Sequence, residues 1–63
     1  MIDLKEIKAC MVKHDHRQKD IAVILGLSEN TVNKKINGIR DFTVQELAAL
    51  ARMYKVDINL FIR

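Results

Sequence analysis

At four places in the chain an apolar residue precedes a helix-capping type, with a second apolar residue four positions beyond the cap: Ile2-Asp3 with Ile7, Leu27-Ser28 with Val32, Phe42-Thr43 with Leu47, and Val56-Asp57 with Phe61. This is the hydrophobic staple of a helix start, where the cap side chain takes up a free backbone N–H and the flanking apolar pair fixes the entry of the chain. Asp3 with Glu6 and Thr43 with Glu46 also have the spacing of a capping box. One more helix follows from Ile21, Ile24 and Leu25, which recur at three- and four-residue spacing. Its cap position holds Arg17, which has no acceptor to offer, at a cost of about 1 kcal/mol relative to Ser or Thr. The pattern predicts five helices, 3–14, 18–25, 28–37, 43–54 and 57–61, and no strand, since no segment alternates with period two. The expected class is all-α, with connections short enough to force neighbouring helices into a compact bundle.

Composition narrows what such a bundle can do. With 63 residues, 49% hydrophobic and 30% charged, the chain is expected to form one small globular domain, residues 1–63. A ligand pocket of about 300 Å³ or more is rare at this size, so no enzyme, catalytic residue or cofactor is expected. The single cysteine, Cys10, cannot form an internal disulfide, and no apolar run has the length of a membrane span. A cytoplasmic protein is expected, with no membrane partner. Zinc is not expected either: Cys10 and His14 are spaced i, i+4 and His16 is close, but a structural site needs four ligands. Cys10 reads as a buried thiol and His14 and His16 as surface residues. Tyr54, Met11 and Met53 read as core, and Ser28, the only serine, as a cap.

The informative stretch is 18–37. Leu25-Gly26-Leu27-Ser28 supplies a left-handed helix stop, a core residue and the next cap, which is the chemistry of a helix-turn-helix and equally of a plain αα-corner. The helix after it separates the two. Val32 and Ile36 define an inward line, while Asn30, Asn33, Lys34 and Asn37 share the opposite side. Asparagine is a poor helix former, so three on one outer face call for a reason other than stability. Asn can pair with adenine N6 and N7 in the major groove, and Lys can reach guanine or a phosphate. Asn37, just before Gly38, equally suits a helix end. Charge agrees: residues 1–12 and 41–63 are each neutral, and the net +3 lies in 13–40, where Lys13, Arg17, Lys19, Lys34, Lys35 and Arg40 outnumber Asp15, Asp20 and Glu29. Such a basic patch is the electrostatic footprint of a duplex-binding surface.

These residues resemble the Cro/CI-type helix-turn-helix proteins of bacteriophages and mobile elements, the lambda-repressor-like fold. The likeness runs from about Lys13 to Phe61, through Gln18-Lys19-Asp20-Ile21-Ala22, Leu25-Gly26-Leu27-Ser28-Glu29-Asn30-Thr31-Val32, Asn33-Lys34-Lys35-Ile36-Asn37-Gly38, Phe42-Thr43 and Glu46-Leu47. The block Asn33–Gly38 followed by Arg40-Asp41-Phe42-Thr43 is similar to compact Cro-like regulators of Gram-positive phages and integrated elements. The resemblance implies a helix-turn-helix at about 18–37. In it Gln18 touches a phosphate and braces the residue opening the recognition helix, and Glu29, Asn30, Asn33 and Lys34 stand at base-reading positions. Asn37 and Arg40 stand where the following loop meets the DNA backbone. Glu29 has two readings, stabilising the helix dipole at N1 or accepting from cytosine N4. The family usually has Ser or Thr where this chain has Arg17, and an apolar residue where it has His16. A phosphate bound near Arg17 would offset the missing cap. Lys19 and Lys35 complete the expected phosphate-contacting set. Ile36 stands where many members carry Glu and reads as core.

Ile58, Leu60, Phe61 and Ile62 are more apolar residues than a one-turn helix can turn inward. Phe61 and Leu60 are expected to close the core and Ile58 and Ile62 to meet a second copy, with Phe61 at the edge of that homodimer contact. The expected function is sequence-specific recognition of double-stranded DNA by a repressor dimer on a palindromic operator. The alternative is a protein-interaction module on the same fold, antitoxin-like or an assembly factor, in which Asn30, Asn33 and Lys34 matter little.

Overall fold

The computed structural model describes residues Met1–Arg63 and contains four α-helices: α1 (Leu4–Lys13), α2 (Gln18–Leu25), α3 (Glu29–Ile36) and α4 (Val44–Tyr54). The fifth expected helix is instead a single 3-10 turn, Ile58–Phe61, capped by the Asp57 side chain on the Asn59 N–H at 2.8 Å. One turn closes too few backbone bonds to sustain an α-helix, and the tighter 3-10 geometry is the usual form of so short a segment.

Capping explains where the helices start. Ser28 accepts from Thr31 N–H at 3.1 Å, and Thr43 and Glu46 form the complete reciprocal box. Only half of the Asp3–Glu6 box exists. Asp3 caps the Glu6 amide at 3.3 Å, but its own N–H goes to the Phe61 carbonyl at 2.7 Å. At α2 the Asp20 carboxylate reaches back to the Arg17 N–H at 2.8 Å, so one flank of the cap is satisfied without an acceptor on Arg17. Gly26 ends α2 in the left-handed conformation (φ 68°), as its position before Leu27 requires. Helix α4 ends the same way without a glycine, on Lys55 (φ 57°).

Phe61, Ile7, Ile21, Leu50 and Val32 are the fully buried centre of one core. Helix α3 packs chiefly on α2, α2 on α4, and the 3-10 turn closes the space between α1 and α4. The two chain ends meet in a single antiparallel bridge, Ile2 with Ile62, flanked by Arg63 N–H to Met1 carbonyl at 2.7 Å and an Arg63–Asp3 ion pair at 2.9 Å. The arrangement leaves one side of α3 and the start of α2 facing outward together. No helix is long and apolar enough to cross a membrane.

Candidate nucleic-acid interface

Helix α3 is two-faced. Val32, Lys35 and Ile36 are buried, whereas Glu29, Asn30, Lys34 and Asn37 are exposed. Asn33 lies between these faces, half-buried against α2, and its Nδ2 donates to Gln18 Oε1 at 3.2 Å. Gln18 is the first residue of α2, so this bond ties the start of one helix to the middle of the next. The resemblance implied that Gln18 would brace the residue opening the recognition helix; it braces Asn33, one turn further on, because that amide is the one facing α2.

Arg17 and Lys19 flank Gln18, and both are exposed, as is Arg40 in the loop after α3. The molecule's two ion pairs are Lys35–Glu46 and Arg63–Asp3, so Arg17, Lys19, Lys34 and Arg40 are not neutralised within the chain. Four uncompensated cations beside an amide-rich helix face form a surface suited to a polyanion.

Lys35 departs from its expected place among the phosphate contacts. It is 5% exposed, and its Nζ donates to Glu46 Oε1 at 2.6 Å and lies 6.0 Å from the centre of the Phe42 ring. The reason is helical periodicity: Lys35 is three residues from Val32 and beside Ile36, and i, i+3, i+4 form one face. That signal is present in the sequence but is overridden there by the habit of placing lysine outside. Burial works against the charge of Glu46, but hydrogen bonds from Lys35 and Thr43 outweigh it and hold the carboxyl below the ordinary glutamate value. Motif spacing marks Glu46 as the capping partner of Thr43 but not as the acceptor for Lys35, and it gives Asp20 no role, although its carboxylate caps the Arg17 N–H.

Phe61 is likewise corrected. At 0% exposure it has no surface to share with a second copy, while Leu60, expected in the core, is 41% exposed. Ile58 is half-buried against the core, and Ile62 is 44% exposed. Between the N-terminal residues and the loop after α3 lies a cleft of about 220 Å³, floored by Ile2, Leu4 and Phe42.

His16, next to Arg17 in the chain, is half-buried and not a free surface residue: its Nδ1 is hydrogen-bonded to the Tyr54 hydroxyl at 2.9 Å. This pairing lets a histidine fill a position where the family usually places an apolar residue. His14 Nδ1 donates to the Cys10 carbonyl at 3.0 Å, and its ring packs on Tyr54 at 4.7 Å between centroids. Burial pushes the Cys10 thiol up, and burial pushes Tyr54 up to about 12. A phenol whose folded pKa is raised contributes stability that is complete below about pH 10, the ordinary tyrosine value, and lost as pH rises through 12. Phenolate absorbance of the folded protein is therefore expected to stay low past pH 10 and to appear together with alkaline unfolding. Ionisation at the ordinary value with the helices intact would refute this account of Tyr54.

Two comparisons return nothing: no curated protein and no solved structure matches the chain. A family model described as helix-turn-helix does match, over residues 7–61, from the first buried residue of α1 to the plug at Phe61. That span contains the whole two-faced α3, the Gly26 turn and the α2 start, and its family is one of DNA-binding regulatory domains. The chain belongs to the Cro/CI-type helix-turn-helix family.

Proposed function

We propose that this protein is a sequence-specific regulator that reads double-stranded DNA with α3 in the major groove. The observation that carries the reading is the Asn33–Gln18 hydrogen bond. One N–H of the Asn33 amide is held by Gln18, which leaves its second N–H and its Oδ1 for adenine N7 and N6. Asn30 and Lys34 extend the same face, and Glu29, exposed at N1, can accept from cytosine N4. Arg17, Gln18 and Lys19 at one end, with Asn37 and Arg40 at the other, grip phosphates and set the register of the helix.

The same reading makes the protein a repressor of phage or mobile-element origin acting in the cytoplasm, one domain over 1–63, with no cofactor. Two copies related by a two-fold axis, meeting at Ile58 and Ile62, would present two α3 helices to successive major grooves about 34 Å apart and would block polymerase by occupancy. Ile62 pairs with Ile2 where the chain ends join and is exposed, as are Met1 and Leu60, and exposed apolar residues at the joined ends support an association surface there.

Selection from a randomised duplex library at near-physiological salt tests the proposal. Enrichment of a palindrome is expected, its half-site spacing reporting the dimer. Retention of duplex without enrichment, in a salt-sensitive manner, would reduce the basic face to non-specific attraction and turn attention to a protein partner.

A further inference from the structure

The buried Lys35–Glu46 pair does not fit the usual economy of a small core. It takes an ammonium and a carboxylate out of water, their side chains 6% and 15% exposed, at a position where an aliphatic residue would pack beside Val32 and Ile36. Such pairs add little stability over an apolar substitute of similar volume, because desolvation offsets the attraction. They do impose direction, since the attraction is retained only in one geometry. Here the geometry joins α3 to α4. Glu46 Oε1 accepts from Lys35 Nζ at 2.6 Å and from the Thr43 N–H at 2.9 Å, so one oxygen pins the last turn of α3 and the first residue before α4. Between those anchors runs the loop that holds Asn37 and Arg40, with the Ile39 and Arg40 amides tied back to the Lys34 carbonyl at 2.9 and 3.3 Å. Lys35 also adjoins Lys34 in the chain and lies on the opposite side of α3 from Asn30.

We propose that Lys35 and Glu46 are positioning residues for DNA recognition: their pair sets the axial position of α3 and the pose of the 37–43 loop, and thereby sequence discrimination, without touching DNA. The inference rests on the DNA-reading function proposed above. Base readout tolerates displacements of only about 0.5 Å, so a helix free to shift on its apolar contacts loses discrimination before it loses its fold.

The test uses the intact chain and two duplexes, the one enriched by selection and a scrambled one of the same length. Lys35→Met removes the cation while keeping the volume apolar. Glu46→Gln removes the anion but retains a side chain that can still complete the Thr43 cap. The two changes shift net charge in opposite directions, so non-specific affinity is expected to fall for Lys35→Met and to rise for Glu46→Gln. The ratio of specific to non-specific affinity is nevertheless expected to fall about tenfold or more in both. Lys35→Arg, which retains a donor to Glu46, should restore part of that ratio.

If Lys35→Met weakens both duplexes alike with a shallower salt dependence and an unchanged ratio, Lys35 is a phosphate contact and the proposal is overturned. It is overturned equally if both variants keep the wild-type ratio, or if both have lost their helical circular dichroism under the binding conditions, which would make the pair a requirement of folding. Failure of the wild type to prefer any duplex overturns the DNA-reading function itself, and with it this inference.

Discussion

Phe61→Ala is expected to leave the chain largely unfolded at room temperature. Removing a fully buried phenylalanine costs about 3–5 kcal/mol, through lost transfer free energy and the cavity left behind. A domain below about 70 residues seldom has more than about 3–5 kcal/mol in total. Phe61 is the largest fully buried side chain, and it sits at the end of a segment with only one 3-10 turn of its own structure. The turn rests on α1 and α4, and the Phe61 carbonyl accepts the Asp3 N–H, so losing the ring also loosens the start of α1. Far-ultraviolet circular dichroism with thermal melting measures the effect. A cooperative melt within about 4–8 °C of wild type, equivalent to about 1 kcal/mol, would show that the core closes without this side chain. The contrast with Ile62→Ser is informative: Ile62 is partly exposed, and its replacement should spare the fold while weakening self-association.

Asn33→Ala should lower affinity for the preferred duplex by about 1–3 kcal/mol, the worth of one bidentate base contact. Its effect on stability should be small, since alanine is the better helix former at an interior position of α3, and this gain opposes the loss of the Gln18 hydrogen bond. Loss of binding therefore cannot be put down to unfolding. Discrimination should relax at one base-pair position per half-site, visible when selection is repeated on the variant. Arg17→Ala should behave differently, weakening all sequences alike and making the salt dependence shallower by about one ion. Unchanged affinity for Asn33→Ala would mean that α3 does not read bases as placed here, and a sequence-dependent loss for Arg17→Ala would mean that Arg17 is not a plain phosphate contact.

Much of the scaffold was legible from local pattern. Ser28, Thr43 and Asp57 start their helical segments as their spacing implies, and Gly26 stops α2 with a positive φ. These features depend on a side chain and an amide two or three residues apart, and such distances are encoded locally. Asp3 was read less fully: its carboxylate caps α1, but its amide belongs to Phe61, fifty-eight residues away. The left-handed stop at Lys55 carries no glycine to announce it, and is held by Lys55 and Val56 N–H groups on the Arg52 and Ala51 carbonyls.

The candidate site divides in the same way. Residue identity and period 3.6 suffice to place Asn30, Lys34 and Asn37 on the outer side of α3, because a helix turns by a constant angle, and the order of charges along the chain puts the net positive charge in 13–40. Whether a side chain on the boundary points to solvent or inward depends on what stands opposite, and that is a long-range property. Period 3.6 already turns Lys35 toward the core, but the Glu46 carboxylate on α4 that makes its charge tolerable there is a long-range partner; His16 turns inward because the Tyr54 hydroxyl receives it, and Asn33 is oriented because Gln18 lies across the turn. Phe61 rather than Leu60 fills the core because the 3-10 turn, anchored at Asp57 and drawn onto Asp3, presents that side to α1 and α4. Each of these polar side chains is buried only where a distant partner offsets the cost of leaving water, and local pattern carries no information about such partners.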